Sequence, residues 1–279
     1  MTEIITETLQ KNDKILVGIA VGERYEIMGR GMLKSFLKHN EGFDVKLWTG
    51  DEINEIIPTQ FRRGIPFNKT EIGRWCALRH AIRQGYKHVI YCDNDIRFYA
   101  PFEFTTGHSL VMFPHVVTEE AKRYRKHFLV KDGIPNLGMI EVNVTDGDEG
   151  REQTQADEIC SFVIDEVDHA PQMFTHLQIK KLWIQNFATY LPYCGYDVVY
   201  NEDFTHNVAH WNLGSGDRSV ERILAGFDKF QVVCGNEKRA IKTFHFSNAG
   251  IRTLEKYGEA ATFLKSEYLS DLKNDGLIY

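Results

Sequence analysis

The stretch that decides the fold is His88–Pro101, HVIYCDNDIRFYAP, in which the apolar run Val89-Ile90-Tyr91-Cys92 stops at Asp93-Asn94-Asp95. A short run rich in β-branched and aromatic residues, set off by a glycine at Gly85, predicts a buried strand. Side chains alternate along a strand, so Asp93 and Asp95 share one side if the extended path continues through them. Two carboxylates that close repel unless a cation lies between them, and Mg²⁺ or Mn²⁺ take oxygen ligands of this kind. Asp and Asn also favour turns, so the triplet alone reads equally well as a turn after a strand. Its setting favours a ligand, because open α/β sheets bind ligands at the carboxyl ends of their strands.

Upstream, Ile72, Trp75, Leu78 and Ile82 recur at helical spacing, and Gly85 would end that helix. Lys14–Ala20, KILVGIA, is a continuous apolar run suited to a central parallel strand. The exit from it, Val21-Gly22-Glu23-Arg24, carries the glycine of a tight turn into a helix, marked by Met32, Leu33, Phe36 and Leu37. A strand at Val45–Thr49 follows. Strand and helix alternating in this way predict an α/β fold with a mostly parallel central sheet. There is no GxGxxG, which removes support for a dinucleotide fingerprint.

Downstream, strands are expected at Leu110–Phe113, Met139–Val142 and Val198–Tyr200, and helices around Ile159–Val167, near 176–190 and over Leu254–Leu272. Residues 145–157, TDGDEGREQTQAD, read as a loop or boundary. The cluster Lys122, Arg123, Arg125, Lys126 and Lys131 reads either as a solvated helix face or as a phosphate-contacting lid. The expected organisation is one domain over residues 1–250, with a nucleotide half at about 14–101 and an acceptor half at about 102–250. A helical extension occupies 251–279.

The 279 residues can bury a substantial core, and a net charge of -6 supplies no overall attraction to nucleic acid or anionic membranes. Five cysteines, Cys76, Cys92, Cys160, Cys194 and Cys234, are widely spaced and odd in number, the usage of reduced core residues in a cytoplasmic protein. No apolar run is long enough to span a membrane.

Three separated stretches resemble one group, the metal-dependent glycosyltransferases of GT-A fold that use nucleotide-diphosphate sugars, including glycogenin-like and related bacterial enzymes. The first is Thr70–Pro101, helix, apolar strand, DxD and a following proline. The second is Asn207–Leu213, NVAHWNL, and the third Thr243–Ser247, TFHFS. Together they keep the group's order and approximate spacing from Lys14 to about Gly250. One departure is Asn248, where the bacterial members commonly have glycine after the His-Phe-Ser.

The resemblance implies a GT-A, Rossmann-like domain and a residue-by-residue site. Asp93 would lie near the donor ribose and the metal, with Asp95 and His245 as direct metal ligands. Asn94 would be the tolerated middle residue of DxD. Arg74 would pair with donor phosphate or sugar hydroxyls, and Ala20, Val21 and Gly22 would hold the nucleotide base, usually uracil. Asn136 and Gly138 would line the sugar pocket, while His210 and Asn212 belong to the NVAHWNL stretch of the donor site. The cofactor implied is Mn²⁺ or Mg²⁺, the donor a UDP-sugar, and the acceptor a glycan, glycolipid or other hydroxyl-bearing molecule. A modified nucleic acid stays open through the local basic cluster. Resemblance to glycogenin-like enzymes leans towards retention of configuration, and Asp203, Asp146 and Glu202 are equivalent candidates for a base. Two other readings remain beside this one: a sugar nucleotidyltransferase, for which Val21-Gly22-Glu23-Arg24 is a poor phosphate loop, and a non-catalytic nucleotide-sugar binding module.

Overall fold

Alternation along two apolar runs fixes which side of the sheet each residue faces. In the computed structural model, strands β1 (Lys14–Ala20), β2 (Asp44–Thr49) and β3 (His88–Cys92) are parallel, with β1 in the middle. Ile15, Val17, Ile19, Val89 and Tyr91 enter one core together with Ile72, Trp75, Leu78 and Ile82. Their sequence neighbours Leu16, Ile90 and Cys92 enter a second core with Met32 and Phe36. These partners lie on helices α1 (Glu23–Leu37) and α4 (Pro66–Arg83), so the sheet is covered on both faces. Short helices α2 (Ile53–Ile56) and α3 (Thr59–Arg62) fill the connection between β2 and α4.

The structure describes residues 12–62, 66–114, 135–166, 188–201, 203, 205–209, 220–222, 230–234, 237–246 and 259–278. The basic cluster at 122–131, His210, Asn212, Glu202, Asn248 and most of the helix expected near 176–190 fall outside these residues. Strand β4 (Ile96–Phe98) leaves the main sheet, which β5 (Leu110–Pro114), β6 (Pro135–Asn143) and β7 (Val198–Tyr200) complete in the order β2-β1-β3-β6-β5-β7. Strand β6 runs antiparallel to both neighbours, and the other pairings are parallel, as a mostly parallel sheet requires. Strands β8 (Val208–Ala209) and β12 (Thr243–His245) join β4 in a small sheet, and β9 (Val220–Arg222), β10 (Phe230–Cys234) and β11 (Glu237–Ala240) form another.

Helix α1 starts at Glu23, well before the periodic residues that announced it. Gly22 turns the chain with φ 97°, and its carbonyl accepts hydrogen bonds from the Tyr25 and Glu26 amides at 2.9 and 3.0 Å. Glu23 and Glu26 then place negative charge in the first turn. The polar 145–157 stretch is more ordered than a loop. Asp148 caps its own short turn through the Thr145 amide and accepts the Gln155 amide at 2.7 Å, tying the stretch to helix α5 (Gln155–Glu166).

The C-terminal helix α6 (Glu259–Asn274) packs back onto the domain. Tyr268 and Leu272 share a core with Met28, Val208, Phe244 and Phe246. Just beyond it Asp275 accepts from Arg97 at 2.7 Å, while Arg97 also donates to the Gly31 carbonyl at 2.8 Å. No described helix is long and apolar enough to cross a membrane. Cys76, Cys92, Cys160 and Cys194 are free thiols.

Glu141 is fully buried in the middle of β6. One carboxyl oxygen accepts from the Thr105 amide at 2.7 Å and Asn143 Nδ2 at 2.8 Å, which fastens the 105–109 loop to the sheet. The other oxygen is buried and has no hydrogen-bond partner among the described residues. Burial pushes the Glu141 pKa up from 4.5 to about 7, against the lowering effect of both hydrogen bonds and of His108. A carboxyl raised in the folded state favours its neutral form, so the associated stability is intact below 4.5 and lost as pH rises through about 7. Relative to Glu141→Gln, the protein should therefore lose roughly 3 kcal/mol of unfolding free energy across that window. Urea unfolding of both proteins at several pH values checks this, and parallel profiles would contradict it.

Candidate metal centre

The acidic triplet is both a turn and a convergence point. The extended path does not continue past Cys92: the Ile96 amide donates to the Asp93 carbonyl at 3.1 Å, closing a turn over Asn94 and Asp95. The two aspartates meet because the chain reverses, not because they share one strand face. The turn delivers the chain into β4, which pairs antiparallel with β12 and sets Ile96 opposite His245. The Phe246 amide donates to the Asp95 carbonyl at 2.9 Å, so the ladder clamps the acidic turn beside the late imidazole.

Asp93, Asp95 and His245 each bring a ligand atom within 4.8 Å of the others. His245 Nε2 lies 3.0 Å from Asp95 Oδ1 and 3.8 Å from Asp93 Oδ2. Asp95 and His245 are buried, whereas the Asp93 side chain keeps 25% of its surface exposed, leaving the cluster open on that flank. Burial lowers the His245 pKa, but Asp95, and after it Asp93, outweigh burial and raise it. The pocket thus draws positive charge to its carboxylates. Two carboxylates and an imidazole make a donor set that suits a divalent cation.

Arg74 supplies the fixed cation of the neighbourhood. Its guanidinium donates to Glu71 at 2.7 Å and to the Leu137 carbonyl at 2.6 Å, lies 3.9 Å from Asp93 Oδ1 and packs over the Tyr91 ring. It is buried rather than an exposed helix arginine. Tyr91 donates its hydroxyl to Asp93 Oδ1 at 2.7 Å. Burial, reinforced by Asp93, holds that phenol protonated well above its ordinary range, so it serves as a donor.

Asn136 and Gly138 meet His245 directly. The Gly138 amide donates to Asn136 Oδ1 at 2.9 Å, and its carbonyl accepts the Asp93 amide at 2.7 Å. A Cβ on Gly138 would sit 2.6 Å from His245 Cε1, so the imidazole occupies space that only glycine leaves free. Ala20, Val21 and Gly22 lie at the exit of β1, beside the acidic turn, and Asn94 Nδ2 reaches the Ile19 carbonyl at 3.4 Å.

The candidate bases separate. Asp146 follows the far end of β6, at the sheet edge opposite the aspartates. Asp203 is engaged: it accepts from Lys242 at 2.8 Å and from the Thr205 hydroxyl at 2.7 Å. Burial would raise its pKa, yet these contacts bring it below the ordinary carboxylate value, which makes Asp203 a weak base. Sequence reasoning assigned no role to Asn207, although it opens the NVAHWNL stretch. Here Asn207 Oδ1 lies 3.1 Å from His245 Nδ1.

No protein-family model and no curated protein matches the sequence. Solved structures do. The galactosyltransferase LgtC, in complex with donor and acceptor sugar analogs, matches with a TM-score of 0.53 over 91% of this chain and 95% of its own, at 12% identity. An active-site mutant of LgtC gives 0.52 over the same shares at 14% identity. Mouse xyloside xylosyltransferase 1 in its apo form gives 0.50 over 85% of this chain and 98% of its own, at 11% identity. Likeness at such low identity is a likeness of fold: this chain has the GT-A fold.

Proposed function

We propose that this protein is a glycosyltransferase that moves a sugar from a nucleotide diphosphate, in our reading a UDP-sugar, to an acceptor hydroxyl on a glycan or glycolipid. Asp93, Asp95 and His245 would hold Mn²⁺ or Mg²⁺. The observation that carries the reading is this three-residue cluster at the carboxyl end of β3, the edge where open α/β sheets bind ligands. The cation, when bound, would offset the charge of the diphosphate leaving group. Arg74 holds the Asp93 side of the cluster and keeps a planar, permanently charged group beside it. The exit of β1 at Ala20–Gly22 presents main-chain groups to the nucleotide base, with Asn94 tying the acidic turn to that exit. Asn136 and Gly138, expected at the sugar, act first by backing the His245 ring. The unpaired thiols fit a reducing, cytoplasmic setting.

UDP-sugars incubated with Mn²⁺ should release UDP, and EDTA should stop the release. Asp95→Ala should lower turnover on the order of 100-fold and His245→Ala roughly tenfold, with the fold retained by circular dichroism. Full activity in Asp95→Ala would reject the site, and pyrophosphate turnover instead of UDP release would indicate a nucleotidyltransferase. Gly138→Ala pushes a methyl into the imidazole and should weaken Mn²⁺ binding roughly tenfold and cost about 1–3 kcal/mol of stability. Metal titration and thermal melts of that variant read both effects.

A further inference from the structure

Asn207 is the one non-glycine residue with positive φ among the described residues, at 53°. Asparagine tolerates that left-handed conformation better than most side chains, but it still stores strain, and strain persists where surrounding contacts over-determine it. Here the contacts are complete. Asn207 is 3% exposed, and its amide N–H donates to Thr243 Oγ1 at 2.7 Å. The side-chain Nδ2 donates to the Asn136 carbonyl at 3.2 Å. That bond fixes which way the amide faces, and it leaves Oδ1, an acceptor only, at 3.1 Å from His245 Nδ1.

The other amide nearby does not compete. Asn136 Oδ1 is taken by the Gly138 amide, which turns Asn136 Nδ2 towards the ring, but at 3.4 Å that approach is longer than a good hydrogen bond. An acceptor at Nδ1 puts the imidazole proton on Nδ1. With Nδ1 keeping its proton, Nε2 is the nitrogen left to exchange the proton it shares with the carboxylates for a cation, and it faces Asp95 at 3.0 Å and Asp93 at 3.8 Å.

We propose that Asn207 is a positioning residue: its Oδ1 accepts the His245 Nδ1–H and so keeps Nε2 turned towards Asp93 and Asp95, as the ligand these residues would offer a divalent cation. The inference rests on the metal centre proposed above and adds a residue that touches no ligand. Histidines that bind metals depend on such a partner for ring orientation. The left-handed backbone is what brings Oδ1 to the ring, so the strain is tied to aiming the ligand.

The test is direct Mn²⁺ titration of the full chain, followed by electron paramagnetic resonance, on Asn207→Gly, Asn207→Asp and Asp95→Ala. Glycine keeps the φ and removes the acceptor, so Mn²⁺ affinity should fall by roughly tenfold or more. Aspartate keeps an acceptor oxygen and should stay within about threefold of the unmodified protein. Unchanged affinity in Asn207→Gly overturns the inference, and so does equal loss in both variants. In Asp95→Ala, lost affinity anchors the metal centre, whereas retained affinity sinks that centre and this inference with it. A readout without mutation stands beside these. In the Mg²⁺-saturated protein, ¹⁵N–¹H correlation spectra should show His245 protonated at Nδ1, and a proton at Nε2 would refute the proposal.

Discussion

Negative charge gathered where water is scarce is the constraint on which this structure turns. Asp95 is buried, Asp93 half-buried and Glu71 close behind, with Arg74 as the permanent cation among them. Carboxylates removed from water are costly unless opposite charge and hydrogen bonds meet them. Each nearby element answers that demand. Strand β3 ends where Tyr91 can donate to Asp93, β6 offers Gly138 as a flat wall, and β12 brings an imidazole whose pKa its acidic neighbours raise. The small β4-β12-β8 sheet forms the frame of this arrangement, since Ile96 opposite His245 sets the distance between the acidic turn and the ring.

The main sheet was legible because its strands are short apolar runs between glycine breaks. Lys14–Ala20 has the bounds read from the sequence, the strand read at Val89–Cys92 gains only His88, and the helix before β3 follows the periodicity of Ile72, Trp75, Leu78 and Ile82. What escaped was local structure without a pattern. Three-residue strands such as Ile96–Phe98 and Thr243–His245 are too short for alternation to show, and they exist because they pair with each other across the chain. Helix α1 was foreshortened since Glu23–Arg30 is mostly polar; a glycine at φ 97° and early acidic residues start it instead.

At the site the acidic pair was legible, and the reason for its convergence was not. Turn and shared site were read as alternatives, yet the chain uses the turn to bring the two carboxylates together. Gly138 looked like a lining residue because glycine advertises close approach without naming what approaches. Asn207 left no trace beyond its place at the head of a motif, since a hydrogen bond to a histidine far along the chain has no local signature.

Asp95 and His245 stand more than half the chain's length apart in sequence. Closing so large a loop carries an entropy penalty that β4–β12 pairing must meet, and an ion gripped by both ends would reward the native state alone. The Asp93, Asp95 and His245 cluster is therefore a late product of synthesis. Until Thr243–His245 has been made and docked, the growing polypeptide owns a nearly finished sheet with half a clasp.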